Sequence, residues 1–189
     1  KDVTHKPLHI RVKLGLGRSF QNISVFPYLT VMECIILSIA HNDFNKIKPI
    51  HAFKHLSSYR DYVEEAHTVL NAVGLLEKSA KLVASLNQAD QRKLDIGLAI
   101  ASKSKVLLLD EPTSGLALEE IPSIINLITM LREELKLTIL MIEHKIDVVS
   151  GLAEHVIVMN EGRVIAEGTP QEISTNREVI KTYIGADIM

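Results

Sequence analysis

The chain has 189 residues, of which 47% are hydrophobic and 23% charged, and its 21 basic and 23 acidic side chains leave a net charge of -2. These values predict a globular domain with a sizeable core, and the lack of a basic excess excludes nucleic-acid binding through a positively charged face. No apolar run approaches the roughly 20 residues that cross a bilayer, so we expect a cytoplasmic chain. The single cysteine, Cys34, cannot form an internal disulfide and predicts a small buried side chain.

The first predicted helix begins at Thr30, because Thr30 precedes Glu33 by three residues, which is the spacing of a capping box. The Phe26-Pro27-Tyr28 stretch before it reads as a loop, and residues 41–58 lose helical periodicity and read as an irregular excursion. Two more helices are predicted in this half, from about Tyr59 to Val73 with a stop at Gly74, and from about Asp90 to Ser102.

The second half alternates between strands and helices. The short apolar segments "VLLLD" and "LTILMIE" flank "IPSIINLITMLREELK", which has helical spacing, and this pattern predicts a parallel βαβ unit. A short helix at Ile146 to Leu152 and a hairpin turning at Asn160-Glu161-Gly162 should follow. Thr169, Pro170 and Glu172 then predict the start of a closing helix. The predicted fold class is α/β with a helical insertion between residues 30 and 102.

Two adjacent carboxylates, Asp110 and Glu111, follow the first of these strands. Alone, such a pair is better explained by solubility or helix capping than by ligand binding. Ligands collect at the carboxyl ends of parallel strands, however, and the next strand ends at Glu143-His144. If the two strands are neighbours, His144 emerges beside the acidic pair and is a candidate for sensing or positioning a phosphate.

The segments "VLLLDEPTSGL" and "TILMIEHKIDVVSGLAEHVIVMNEGRVIAEGTPQEI" resemble the second half of an ABC transporter ATPase, and "GLGRSFQNISVFPYLTVMECI" resembles its Q-loop region. These segments are most similar to the ATPases of the branch that energises branched-chain amino acid import. The resemblance spans almost the whole chain. It implies an ABC-type ATPase core, a parallel sheet with helices, truncated at its amino terminus.

The resemblance also assigns roles in binding ATP and Mg²⁺. Asp110 matches the Walker B aspartate that holds Mg²⁺ through water, and Glu111 matches the carboxylate that polarises the attacking water. Gln21 matches the Q-loop glutamine of the metal and water shell. His144 matches the switch histidine that contacts the γ-phosphate.

The family signature, normally Leu-Ser-Gly-Gly-Gln, falls on five residues that would face ATP held by a second subunit: Leu86, Asn87, Gln88, Ala89 and Asp90. Asn87 replaces the serine and is still a good N-cap, whereas the methyl of Ala89 is expected to obstruct close approach of a phosphate. Ser114 and Gly115 match the D-loop between subunits, although Ala117 stands where the family usually has aspartate. The altered signature is therefore impaired or works opposite a more orthodox partner.

The phosphate cradle of the family, G-x-x-x-x-G-K-[ST], does not occur in the 189 residues, since the cluster at Gly15, Gly17 and Arg18 lacks both its spacing and its lysine. We interpret the chain as part of a longer protein, which predicts very weak Mg-ATP binding and no hydrolysis by these residues alone. In the family, the first strands and the phosphate-binding loop come before the part matched here, and those strands are expected to pair with and cover the Walker B strand. Their loss predicts self-association or marginal stability.

The sequence thus predicts one partial ATPase domain over residues 1–189, with a helical subdomain at about 30–102 and the Walker B, D-loop and switch-histidine part at 103–189. The implied function is ATP hydrolysis powering import of a small solute; branched-chain amino acids lead, while urea and short amides stay open. The implied partners are a second ATPase subunit and a membrane permease docking near the Q-loop and helical subdomain, on the inner face of the membrane. One alternative is a degenerate regulatory or scaffolding subunit without turnover, and another is an unrelated α/β domain.

Overall fold

The computed structural model describes residues 2–19, 26–42 and 60–184. Two short 3₁₀ turns, Leu76–Lys78 and Val83–Ser85, precede the helix that begins at Gln88, and a π-helical turn, Ile180–Ile184, closes the described chain. The helices and strands in chain order are α1 (Leu8–Lys13), β1 (Leu16–Ser19), α2 (Val31–Asn42), α3 (Arg60–Ala72), α4 (Gln88–Ala101), β2 (Val106–Asp110), α5 (Ile121–Glu133), β3 (Thr138–Ile142), α6 (Ile146–Leu152), β4 (Val156–Asn160), β5 (Arg163–Gly168), α7 (Pro170–Ser174) and α8 (Arg177–Val179).

The chain forms two compact units, Lys1–Ile142 and Glu143–Met189. The first holds a three-stranded parallel sheet in the order β1-β2-β3, in which Leu108 of β2 is opposite Leu140 of β3. The predicted parallel βαβ unit is confirmed. The Walker B-like strand β2 pairs with β1 and β3, so the expectation that it lacks a neighbour is wrong. Among the described residues, β1 and β3 are the edge strands of this sheet.

One face of this sheet carries the core. Leu107 and Leu109 are fully buried, whereas the alternate residues Val106, Leu108 and Asp110 are half-buried, as the two-residue period of a strand requires. Ser19 of β1 is buried too, and its hydroxyl hydrogen-bonds to the Asp95 carboxylate of α4. The sheet therefore ties α4 to β1 through a buried polar contact as well as through apolar packing.

Helices α2, α3 and α4 pack against one another beside the sheet. The predicted capping box at the start of α2 is confirmed, because the Thr30 hydroxyl accepts from the Glu33 N–H at 3.2 Å and the Glu33 carboxylate accepts from the Thr30 N–H at 2.7 Å. The predicted stop at Gly74 is confirmed by its positive φ of 70°. The irregular excursion is wrong at its start, since α2 continues to Asn42, and its remainder lies outside the described residues.

The sequence patterns did not predict α1 and β1. Each is short, and β1 is interrupted by Gly17, whose pattern reads as a turn rather than a strand. The glycine is required by packing, because a Cβ there would collide with the Ser104 hydroxyl. Helix α4 begins at Gln88, two residues before the predicted start, because Asn87 is its N-cap.

The second unit contains an antiparallel hairpin and short helices. Strands β4 and β5 pair around Glu161 and Gly162, whose φ values of 48° and 75° are both positive, as a type I′ turn requires. The predicted hairpin is therefore confirmed. The closing helix α7 is also confirmed, with Thr169 and Glu172 forming a complete capping box.

Candidate functional site

The acidic pair lies where the central strand of the sheet ends. Asp110 is the last residue of β2 and Glu111 begins the following loop; both are half-buried. The Glu111 N–H donates to the Ile142 carbonyl at 3.0 Å, which holds the start of this loop against the end of β3. Glu111 has a φ of 45°, a left-handed conformation that non-glycine residues adopt at a cost. Backbone strain at a strand end is a common property of functional residues.

Arg18 is a member of this site that the sequence reasoning missed. Its guanidinium Nη2 lies 3.4 Å from Asp110 Oδ2, with the two side chains 52% and 30% exposed. The contact follows from strand register, because Arg18 is opposite Leu108 in a parallel pair and Asp110 is the next residue on the same face. Only the pairing of β1 with β2 could have signalled it, and β1 was not predicted.

The donor set at this strand end fits Mg²⁺ in chemistry. Mg²⁺ prefers carboxylate oxygens and binds proteins through one or two of them together with water and substrate phosphates. Asp110 offers such a ligand, although Arg18 now contacts it. No group of three histidine, cysteine or acidic side chains able to hold a metal occurs among residues 2–19, 26–42 and 60–184. Gln21, the other predicted metal ligand, lies outside the described residues.

The five signature-like residues form the entry to α4. Leu86 and Ala89 are buried, Asn87 and Gln88 are exposed, and Asp90 is buried in a salt bridge to Lys78. The Asn87 side-chain oxygen accepts from the Asp90 N–H at 2.9 Å, which is the N-cap that its residue type favours. Since Ala89 is only 4% exposed, its methyl packs inward rather than standing at the surface of the helix start.

The loop after β2 approaches this helix start. Ser114 donates its N–H to the Glu111 carbonyl at 3.0 Å, and Gly115 follows with a φ of 74°. Glycine is favoured here by its left-handed conformation, and the position lies close to the Gln88 side chain, whose nitrogen would be 2.5 Å from an added Cβ. The two segments predicted to face a second subunit are therefore adjacent to each other within one chain.

Glu120 links the same two segments, and the sequence reasoning did not single it out. One carboxylate oxygen accepts from the Asn87 Nδ2 at 3.3 Å, and the other accepts from the Ala117 N–H at 3.2 Å. The second contact joins residues that are three apart along the chain, which is the spacing at which a Glu side chain caps the start of a helical turn. A Glu three residues after Ala117 was the available sequence signal.

His144 follows β3 by two residues and belongs to the second unit. The His144 side chain is exposed, and the backbone N–H of His144 donates to the Glu143 carboxylate at 3.3 Å. The condition set by the sequence, that the strands before Glu111 and His144 are parallel neighbours, is met. The placement of the imidazole beside the acidic pair stays a prediction.

The fold and this strand-end site define an α/β protein with two carboxylates at the carboxyl end of the central strand of a parallel sheet. Comparisons with known proteins specify its family. The chain matches the family described as "ABC transporter" over residues 2–114 and the family described as "Branched-chain amino acid ATP-binding cassette transporter" over residues 163–188. It is 33% identical to the high-affinity branched-chain amino acid transport ATP-binding protein LivG of Salmonella typhimurium, covering 92% of this chain and 69% of LivG. It is 32% identical to BraF of Pseudomonas aeruginosa, covering 98% and 73%.

Solved structures agree with this placement. The ADP conformation of MJ1267, an ATP-binding cassette of an ABC transporter, matches with a TM-score of 0.80 and 26% identity over 98% of this chain and 74% of that one. The cbiO1 protein of Clostridium perfringens, part of the ABC transporter complex cbiONQ, matches with a TM-score of 0.75 and 26% identity over 95% and 66%. The chain belongs to the ATP-binding proteins of ABC transporters, in the branch of the branched-chain amino acid systems. No helix in the described ranges is long and apolar enough to span a membrane.

Proposed function

We propose that this chain supplies the hydrolytic carboxylates of an ATP-binding subunit that powers import of branched-chain amino acids through a membrane permease. The observation that carries the proposal is the Asp110-Glu111 pair at the end of the central strand β2, in a chain of this family. Relatives named for branched-chain amino acid transport support the choice of solute.

In this proposal each strand-end residue acts on one part of the reaction. Asp110 holds Mg²⁺ through water, and the ion, when bound, offsets the charge that develops on the phosphates. Glu111 orients the water that attacks the γ-phosphate and accepts its proton. The family resemblance assigns Gln21 to the metal and water shell and His144 to contact with the γ-phosphate, and the proposal keeps both roles.

The same proposal gives the second subunit and the permease their docking sites. The α4 entry, residues 86–90, and the loop at Ser114-Gly115 face ATP held by a second ATPase subunit; their adjacency in this chain supports a shared surface. The helical part at 30–102 and the Q-loop face the permease, which places the chain on the inner face of the membrane.

The test uses the 189 residues preceded by a family segment that carries the G-x-x-x-x-G-K-[ST] loop, which we name the extended chain. Glu111→Gln in the extended chain should abolish steady-state ATP hydrolysis while nucleotide binding persists, because the amide keeps the shape but cannot accept a proton. Loss of a positioned base lowers rates by about 10² to 10⁴-fold. Glu119→Gln, the same change at an exposed position of the same loop, is the matched control and should leave turnover unchanged. Near-normal turnover in Glu111→Gln would remove Glu111 from this role.

A second candidate function, a regulatory subunit without turnover, is favoured by the altered signature, in which the Asn87 amide is already occupied by Asp90 and Glu120. The two functions differ in how the extended chain responds to Asn87→Ser with Ala89→Gly. If the native signature is impaired, this double substitution raises ATP hydrolysis or ATP-driven dimerisation. Unchanged or lower activity would show that the native arrangement already works.

A further inference from the structure

The start of α4 carries a carboxylate, Asp90, that is only 6% exposed. Its backbone N–H donates to the Asn87 side-chain oxygen at 2.9 Å, so Asp90 is the third residue of the helix after its N-cap. The helix dipole favours a carboxylate in the first turn, but a carboxylate removed from water needs a compensating charge. The family signature has a neutral glutamine at the position of Asp90, so this chain carries an added negative charge there.

The compensating charge comes from Lys78, whose ammonium contacts the Asp90 carboxylate. Lys78 is the last residue of a 3₁₀ turn that lies outside α4. The backbone on either side of it is fixed, because Leu75 is fully buried and the Met32 N–H of α2 donates to the Ser79 carbonyl at 2.9 Å. The packing of the other helices therefore holds this ammonium at the start of α4.

A second carboxylate at this helix start leaves the charge of Asp90 uncancelled. Glu120 accepts from the Asn87 amide at 3.3 Å and from the Ala117 N–H at 3.2 Å, and it adds a negative charge of its own. A phosphate approaching α4 is attracted by the helix dipole and repelled by both carboxylates. The contact with Lys78 removes one of these two repulsions.

We propose that Lys78 is a positioning residue of the altered signature, and that the Lys78–Asp90 pair takes the place of the neutral glutamine of the family. The ammonium cancels the charge of Asp90 where the triphosphate of ATP held by a second subunit approaches. Lys78 acts through Asp90 and lies outside the signature motif. This role rests on the proposed function, in which residues 86–90 face that ATP.

The proposal predicts that ATP-driven dimerisation follows the sign of the charge left at this pair. Asp90→Gln leaves the Lys78 charge uncancelled and should lower the dimer dissociation constant by at least about fivefold, because a cation attracts the triphosphate. Lys78→Met leaves the Asp90 charge uncancelled and should raise the constant by a similar factor. The double variant has no charge at either position and should match the wild type. A purely structural salt bridge predicts weaker dimerisation from both single substitutions.

Sedimentation velocity of the extended chain with Mg-ATP, in a Glu111→Gln background that prevents turnover, measures these dissociation constants. Lys81→Met, at an exposed lysine of the same segment, is the matched control and should leave the constant unchanged. Raising the ionic strength should bring the two single variants closer together, since salt screens charges. The hydrolysis assay of Glu111→Gln tests the proposed function separately.

Lys78→Met leaves a buried carboxylate without its cation, and losing one partner of a buried pair can prevent folding. Asp90→Gln avoids this problem, because the Lys78 side chain is 38% exposed and its ammonium can reach solvent. The comparison of Asp90→Gln with the double variant therefore measures the Lys78 charge even if Lys78→Met fails to fold. Equal dimerisation of these two proteins, or weaker dimerisation of Asp90→Gln than of the wild type, would overturn the role of Lys78 and leave the proposed function in place. The absence of an ATP-driven dimer in every variant would overturn that role together with the assignment of residues 86–90 to a second subunit.

Discussion

Two glutamates of this chain adopt the left-handed backbone conformation, with φ values of 45° at Glu111 and 48° at Glu161. Glu161 lies in the β4–β5 turn, where a positive φ follows from the turn type, whereas Glu111 lies at the end of β2 next to the Asp110 carboxylate. The same backbone conformation therefore occurs in a tight turn at Glu161 and at the end of the central strand at Glu111.

The turn offers a direct test of this conformation. Glu161→Asn should raise the free energy of unfolding by about 0.5–1 kcal/mol, because Asn tolerates the left-handed region better than Glu, and Asn-Gly is the preferred type I′ pair. Glu161→Val should lower it, since a β-branched residue is strained there. Urea denaturation measures both. Equal stability of the three proteins would show that Glu161 does not adopt this conformation in solution.

The buried thiol of Cys34 predicts a pH dependence of the protein's stability. Burial raises the pKa of the Cys34 thiol from 9.0 to about 11, so the folded protein keeps a proton that the unfolded chain loses near pH 9. The resulting stabilisation is complete below pH 9 and is lost as pH rises through about 11. Stability should fall more steeply between these values in the wild type than in Cys34→Ala. Parallel pH profiles of the two proteins would contradict the burial of this thiol.

At the scale of single elements, helix starts are the features with the clearest side-chain causes. Complete capping boxes begin α2 and α7, and an asparagine cap begins α4. In α7 the carboxylate of Glu172 accepts from the Thr169 backbone and hydroxyl, and these hydrogen bonds lower its pKa. The cap is thus a charged interaction and depends on pH.

The pH dependence of the α7 cap has a defined sign. Since the folded pKa of Glu172 is lowered, its stabilisation is present above the unfolded value of about 4.3 and is lost as pH falls through the folded value. Glu172→Gln should therefore flatten the acid side of the stability profile and leave the profile above pH 6 parallel to that of the wild type. An unchanged acid side would show that the cap does not form.

The α4 cap allows a double-mutant test of the Asn87–Glu120 contact. Asn87→Asp keeps the oxygen that caps Asp90 but replaces the donor to Glu120 with a second carboxylate, so it should destabilise the chain. In a Glu120→Gln background the same substitution should cost less, by about 0.5 kcal/mol or more, because two carboxylates no longer repel each other there. Additive effects in urea denaturation would show that the two side chains do not interact.

For the whole molecule, local sequence signals predicted the fold best. The "VLLLD" and "LTILMIE" segments, the hairpin turn and the Thr30 and Thr169 caps are local signals, and each element formed where its residues indicate. Strand β1 was missed because four residues containing a glycine have no period to detect. The position of β2 between two strands was missed too, since strand order is a tertiary property that neither strand encodes alone.

The residues of the candidate site also fall into two groups: those that the sequence could identify and those that only the tertiary structure brings together. Asp110 and Glu111 could be found from the sequence because they are adjacent and end an apolar run. Arg18 and Glu120 could not, because Arg18 meets Asp110 through strand register across 92 residues, and Glu120 meets Asn87 through the packing of a loop on a helix start across 33. The roles of Gln21 and His144 remain predictions drawn from the family resemblance.

In the proposed function, these 189 residues carry the hydrolytic carboxylates of an ABC ATP-binding subunit, and they contain no G-x-x-x-x-G-K-[ST] string to form its phosphate cradle. Calorimetric titration with Mg-ATP, performed on the 189-residue chain and on the extended chain, measures the effect of this difference. We predict no saturable binding by the chain alone, because Asp110 and its neighbours offer a metal ligand without the backbone amides and lysine that grip phosphates, and clear saturation by the extended chain. Micromolar affinity in the 189-residue chain, or no binding by a folded extended chain, would contradict the account.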